Sequence, residues 1–422
     1  MIAYMLEYNR YMHIFGIAVV LIIAWLLSTN RKKINYWLVL KALGLQITFA
    51  LLFIEIPAVE VNFFDPLANG FNALCGFARE GAQFLFGNLV NNCQDSWGCV
   101  FAFSILPLIV FFAALASILS HYGIIQAVVQ VINRIIRPLL GTSGPETLSA
   151  TSNLILGQTE APLLIKNYLA NMSESQIFVV MVSGMAHMST VLLAVYSQMG
   201  IPMKHMIISA AMGIPGAILI AKMMVPEKDT VVPTATESSE GKSKGNIFDA
   251  IFQGTSTGTA IAVIVGAMLL VFIGLLPLVD ALIGFIGSSI NDGLLYISSY
   301  QLPPLSLKYF FGWLFAPFGY LLGLSGKDLA QATELMGIKV TINEFVAFSK
   351  MTNDMHFSER ATMLLTYALG NFANLGSIGM QVGGISALAP SCQSILAKLG
   401  MRAVAAGSLV GLLSAFIVGL LV

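Results

Sequence analysis

Long apolar runs alternate with short polar interruptions, and most runs are long enough to cross a hydrocarbon layer about 30 Å thick. Tyr11 to Asn30 is uncharged, and Ile34 to Ile54 returns with only Lys41 inside it. Val100 to Leu119 makes a third crossing. Ile177 to Met203 is uncharged but polar in its middle, at Gly184, His187, Ser189 and Thr190, and Met206 to Val225 returns. Ile251 to Val279 exceeds a perpendicular crossing, so it is expected to tilt or to run past the bilayer. Ala361 to Ala389 is again uncharged with a polar, glycine-rich centre from Gly370 to Ser377, and Ala403 to Val422 is a plain terminal span. About eight transmembrane helices are expected.

Other segments cannot cross. Phe71 to Leu89 (with Arg79 and Glu80), Ile124 to Leu140 (with Arg134 and Arg137) and Tyr309 to Leu324 read as helices lying at the membrane surface. Pro145 to Leu156 starts like a helix after Ser143-Gly144, and Pro162 suits the first turn of another. Between them stands the polar Gly157-Gln158-Thr159-Glu160. Arms of about a dozen residues reach only about 18 Å, so neither crosses alone. This predicts a re-entrant hairpin whose polar tip lines a cavity, the setting that tolerates broken backbone and an acid at that depth. Lys327 to Asn353, too polar and interrupted to span, forms the second such hairpin, with Asn343-Glu344 at its tip.

Each half thus has a hairpin tipped by an acid, followed by an uncharged span with a polar middle. Glu160 to Ser189 is 29 positions and Glu344 to Asn374 is 30. An inverted repeat with paired broken helices is how many secondary transporters build a midplane site. The expected architecture is an all-α integral membrane protein with two hairpins in an inverted repeat and with interfacial helices. Five stretches follow: 1–122 as scaffold, 123–225 as the first mobile half, 226–248 as a linker, 249–302 as a long scaffold span, and 303–422 as the second mobile half. Arg31-Lys32-Lys33 after the first span places that loop in the cytoplasm and the N-terminus outside.

Composition narrows the function. Of 422 residues 57% are hydrophobic and 10% charged, with a mean hydropathy of +0.83, against about a quarter charged in soluble domains. Lys+Arg and Asp+Glu balance at 21 each, which argues against a nucleic-acid partner. No zinc spacing, P-loop, dinucleotide fingerprint or nucleophile elbow occurs, so an enzyme has no visible nucleophile, metal or activated water. Cys93 and Cys99 lie in a polar stretch expected outside, either as a disulfide or as two thiols.

The candidate site gathers Gln158, Thr159 and Glu160 from the first hairpin, Asn343 and Glu344 from the second, and Phe372, Asn374 and Ser377 from the later span. Acceptors, donors and an aromatic face with almost no fixed positive charge suit a neutral polyhydroxyl solute carrying a flat ring. A phosphorylated or carboxylate solute usually recruits Arg or Lys. Gly157-Gln158-Thr159-Glu160-Ala161-Pro162, Asn343-Glu344-Phe345-Val346-Ala347 after Lys339, and Asn371-Phe372-Ala373-Asn374 with Ser377 resemble the concentrative nucleoside transporters, in order and over nearly the whole chain. The short termini look like the bacterial branch. The resemblance implies a homotrimer in the bacterial inner membrane, a scaffold and an elevator-like moving domain, and nucleoside–cation symport without other cofactors. It places Gln158, Thr159, Glu160 and Phe372 against the nucleobase and Glu344, Asn374 and Ser377 on the ribose hydroxyls.

The coupling ion is where the sequence departs. Asn153 and the Leu156 carbonyl match part of the family's sodium site, but His187 stands where a serine or threonine hydroxyl is usual. Sodium prefers hard oxygen ligands, and imidazole takes protons. Proton coupling, sodium at a remade site, and a merely structural His187 all remain open, with the proton favoured. A passive pore and a symporter of another polyhydroxyl solute are the alternative functions. His121 and His205 are expected at the interface, Asn171-Met172-Ser173 is expected to be a chance glycosylation match, the methionines to fill gaps, and Lys339 to snorkel or pair with an acid.

Overall fold

A computed structural model describes residues 9–54, 65–90, 101–228, 246–295 and 305–422. The question of Cys93 and Cys99 and most of the 226–248 linker lie outside these residues. Cys75 and Cys392, within them, are free thiols. Every regular element among the described residues is helical.

The first helices are α1 (Tyr11–Leu26), α2 (Tyr36–Ile54), α3 (Asp65–Phe86) and α4 (Leu106–His121). Then come the amphipathic α5 (Ile124–Leu140) and a hairpin whose first arm is α6 (Gly144–Ser152). Ile125, Val129, Ile136 and Leu140 bury one face of α5 while Arg134 points out, as a surface helix requires. Ser143 starts α6, its N–H donating to Glu146 Oε1 at 2.7 Å. The second arm departs from expectation. Ala161–Ile165 is a 3₁₀ turn with Pro162 in its first turn, and only α7 (Lys166–Leu169) is α-helical. Pro162 has no N–H to give, Leu163 N bonds back to Glu160 O at 3.0 Å, and the tighter coil covers more length per residue.

The span predicted at Ile177–Met203 is two helices, α8 (Glu174–Ala186) and α9 (Thr190–Gln198). The chain is extended at His187 and Ser189, the polar centre noted in the sequence. α10 (Met203–Met224) returns, and α11 (Ile247–Leu295) runs 49 residues, past both predicted ends. At 1.5 Å per residue it is about 74 Å long, more than twice the bilayer core. The second half repeats the pattern with α12 (Leu307–Leu321), the hairpin helices α13 (Gly326–Thr341) and α14 (Glu344–Asn353), and a span broken into α15 (Glu359–Leu369) and α16 (Leu375–Leu388). α17 (Gln393–Leu421) closes the chain. Ser173 and Asn374 are N-caps: Ser173 Oγ accepts from Gln176 N and Asn374 Oδ1 from Ser377 N. The glycosylation-like triplet is therefore a helix start.

Three spans form the centre. In the apolar windows that include α8, α10 and α17, 78–89% of residues are buried, against 22% in α2, in the α4 span and in the first part of α11. α1 and α2 pack on α17 and α10, whereas α4 and α11 pair closely with each other. That pairing depends on Gly254 and Gly258, where an added Cβ would stand 2.7 Å from Ala114 Cα and 2.8 Å from Val110 Cα.

Charges collect at one end. Thr29 N bonds to Met224 O, Lys33 donates to Lys228 O, and Lys228 and Lys398 pair with Glu174. Just inside, buried Lys222 pairs with fully buried Glu146 at 2.7 Å and with Glu227 at 3.2 Å, and donates to Ser175 Oγ at 3.2 Å. This cluster pins the base of the first hairpin to α8 and α10. Lys222→Met leaves Glu146 a buried carboxylate without its cation, a loss of about 3–5 kcal/mol for such pairs. Thermal unfolding in detergent should fall by many degrees in Lys222→Met and hardly move in Glu227→Gln. Equal midpoints for the two variants would refute a buried tether at the hairpin base.

Candidate functional site

The two hairpin tips and the two breaks meet at one cavity of about 710 Å³. Its lining includes Gln158, Thr159, Glu160, Glu344, Phe372 and Asn374, and, from α4 and α11, Ser117, Gln253 and Thr257. The sequence-predicted set is thus largely assembled, while the polar lining residues of α4 and α11 were not anticipated.

Glu344 is the first residue of α14, after the N-cap Asn343, whose Oδ1 accepts from Val346 N at 2.9 Å. Only 4% exposed, its carboxylate accepts from Tyr196 Oη at 3.0 Å and from Asn374 Nδ2 at 3.3 Å. One oxygen is therefore held from the first half of the chain and the other from the second. Tyr196 was missed: it is an aromatic in an apolar helix, and only the fold brings it to an acid 148 positions away. Its ring leans on Phe345 and Phe348 at 5.8 and 5.0 Å.

Ser377 is fully buried and its Oγ accepts from Gln158 Nε2 at 3.2 Å, so the structure groups it with Gln158 and behind the cavity surface. Thr159 and Glu160 reach the cavity, with Glu160 Oε2 3.4 Å from Gly157 N. Met380, read as a gap filler, lines the cavity instead. Lys339, 2% exposed, lies within electrostatic reach of Glu344 but donates to Ser408 Oγ at 3.4 Å, so it neither snorkels out nor forms a direct ion pair with Glu344. His205, expected at the interface, bonds through Nδ1 to the buried Tyr367 hydroxyl at 3.0 Å.

The candidate ion residues divide. Leu156 lines the cavity; Asn153 is buried, its Nδ2 donating to Ser149 O at 2.9 Å while Oδ1 has no hydrogen-bond partner among the described residues. His187 is 2% exposed, and its Nδ1 lies 2.7 Å from Ser183 O. A carbonyl only accepts, so Nδ1 carries the hydrogen and Nε2 holds the free lone pair. Nε2 faces α10, where a Cβ on Gly213 would lie 2.9 Å away. The Ala210 carbonyl is within interaction range there, but without a hydrogen bond of standard geometry.

Similarity to known proteins agrees with this arrangement. Family models described as Na+ dependent nucleoside transporter N-terminus and C-terminus match residues 15–89 and 205–419, and one described as Nucleoside recognition matches 102–203. The nucleoside permease NupC of Helicobacter pylori is 36% identical over 416 residues, 96% of each chain. Sodium/nucleoside cotransporter 1 of Rattus norvegicus is 32% identical over 430 residues, 96% of this chain and 63% of that one. The solved structure of CNTnw in an inward-facing substrate-bound state aligns with a TM-score of 0.88 at 36% identity, covering 97% of this chain and 98% of that one. The chain therefore belongs to the concentrative nucleoside transporter family, whose members are cation-coupled membrane transporters and not enzymes.

Proposed function

We propose that this chain imports nucleosides into a bacterial cell by proton symport, with Glu344 as the ribose anchor and His187 as the proton-carrying group. The observation that supports the reading most is the Glu344 carboxylate, fixed by Tyr196 and Asn374 at the cavity where both hairpin tips meet. A carboxylate oxygen accepts more than one hydrogen bond, so both oxygens retain acceptor capacity for two vicinal hydroxyls. Gln158, Thr159, Glu160 and Phe372 then meet the base. For coupling, the free lone pair of a buried imidazole is a proton acceptor, and it is turned toward α10. The second reading is sodium at Asn153 and the Leu156 carbonyl, favoured by the unpartnered Asn153 Oδ1.

The reading includes an elevator-like motion within a homotrimer, the N-terminus outside and the end bearing Arg31–Lys33, Glu174 and Lys398 in the cytoplasm. The packing favours a scaffold built on α4 and α11, with α1 and α2 travelling with the central bundle instead of staying in a 1–122 scaffold. Uridine and adenosine uptake into proteoliposomes, with proton and sodium gradients imposed separately, tests the function. Accumulation under a proton gradient alone supports it. Accumulation under sodium alone transfers coupling to Asn153 and Leu156. Equilibration without accumulation would make the protein a passive pore, and transport confined to other polyhydroxyl solutes would displace the nucleoside.

A further inference from the structure

The amide of Gln158 can face a base in either of two senses, presenting N–H or C=O, and the sense decides which base edges fit. The residues around it settle the choice. Gln381, on α16, is 1% exposed, and its Nε2 lies 3.0 Å from Met181 O and 3.2 Å from Gln158 Oε1. A backbone carbonyl only accepts, so the NH₂ of Gln381 must point at Met181; the reverse orientation would set two acceptors against each other. One Gln381 hydrogen serves Met181 and the other serves Gln158, which turns the Gln158 oxygen toward Gln381 and its NH₂ the other way. Of the two Gln158 hydrogens, one goes to Ser377 Oγ at 3.2 Å. The other, among the described residues, meets only Met380 Sδ at 3.8 Å, a weak thioether acceptor on the cavity wall. That N–H is the one a base can take.

Gly184 on α8 belongs to the same device. A Cβ there would stand 2.5 Å from Gln381 Nε2 and 3.0 Å from Gln158 Cβ, so the glycine leaves the room in which the two amides meet.

We propose that Gln381 is a positioning residue that transmits the polarity of the Met181 carbonyl to Gln158, so that the site presents an N–H donor and selects bases offering a ring or exocyclic acceptor at that edge. Glu160, on the same tip, supplies the complementary acceptor. The preferred edge pairs an acceptor with an N–H donor, as uracil, cytosine and adenine edges do. This rests on Gln158 facing the base.

The test compares uptake kinetics of uridine with those of 4-thiouridine, which keeps the N3 hydrogen and replaces the 4-oxo acceptor by a weaker one. Wild-type transporter should favour uridine over 4-thiouridine by up to about tenfold, the effect of one weakened buried hydrogen bond. Gln381→Met keeps the length but breaks the relay, and it should reduce that preference to about twofold or less, within the error of independent effects. The change should appear in KM much more than in maximal rate. Gln381→Leu, which also removes the amide, should give the same signature, so one unstable variant does not remove the test; Gly184→Ala, which crowds both Gln381 Nε2 and Gln158 Cβ, should lose the preference as well. In a Gln158→Ala background, which should itself lose the preference, Gln381→Met should add nothing further. A preference retained in Gln381→Met, or a full extra loss in the Gln158→Ala background, overturns the relay while leaving Gln158 on the base. A preference retained in Gln158→Ala overturns the base-facing assignment, and the relay with it.

Discussion

Glu344→Gln is expected to abolish saturable uridine uptake. In the native site Asn374 Nδ2 and Tyr196 Oη both donate to the carboxylate. An amide at this position has one acceptor and one donor group. Its NH₂ cannot face the Asn374 NH₂, so the oxygen turns to Asn374 and the nitrogen to Tyr196, whose hydroxyl must rotate to accept. The oxygen's remaining capacity serves one ribose hydroxyl, and the second meets an N–H instead of a lone pair. Charge-assisted bonds contribute about 1.5–3 kcal/mol each, so losing the charge from one and replacing the other with a donor should weaken uridine binding by roughly a hundredfold or more. Tyr196→Phe keeps the charge and removes one buried donor, so it should be milder, about 1–2 kcal/mol or some five- to thirtyfold in KM. The same geometry predicts that 2′- and 3′-deoxyuridine both bind less well than uridine to the native protein, whereas Glu344→Gln should discriminate clearly against only one of them, the analogue lacking the hydroxyl that the amide oxygen still accepts from. Concentration-dependent uptake with equilibrium binding in detergent checks this order. Near-normal transport by Glu344→Gln would remove the residue from the ribose site.

The two acids were legible in the sequence because an ionisable side chain flanked by apolar runs is expensive and therefore rare. Their hairpins were legible because a polar tip between arms too short to cross leaves few alternatives. The broken spans were visible as polar centres, since Ser189 and Asn374 are residues that start helices, although the exact points of rupture needed the structure. Hidden were the partners that orient these groups. Tyr196 meets Glu344 across 148 positions and Gln381 meets Gln158 across 223. Neither has local spacing that marks it, because the contacts arise only when one half packs on the other. The lining residues Ser117, Gln253 and Thr257 were hidden for the same reason: a few hydroxyls and an amide on apolar helices carry no periodic signature. The second arm of the first hairpin was misjudged because proline tolerance at a helix start does not specify α over 3₁₀.

Removing the histidine should uncouple transport from protons. Uridine should accumulate in proteoliposomes under a proton gradient with sodium absent, up to about tenfold per pH unit if one proton accompanies one nucleoside, since a unit of pH is about 1.4 kcal/mol. His187→Ala should bring this accumulation to equilibrium while nucleoside still exchanges across the membrane, because His187 does not line the substrate cavity. The geometry gives the reason. Ser183 O fixes the Nδ1 hydrogen, so an arriving proton must settle on Nε2, in the space that Gly213 leaves open and toward the Ala210 carbonyl. Protonation thus changes the contact between α8 and α10, two of the helices that form the centre of the bundle, without touching the substrate. Gly213→Ala should act in the same direction by crowding Nε2, and it should lower accumulation more than exchange. His187→Ser separates the coupling schemes: it supplies the hydroxyl that the family resemblance implies for a sodium site, which Asn153 and the Leu156 carbonyl would share. Gain of sodium stimulation together with loss of proton-driven uptake would identify the histidine as the change that moved this transporter from one ion to the other. Proton-driven accumulation that survives in both His187→Ala and His187→Ser would return the imidazole to a packing role and place the proton elsewhere.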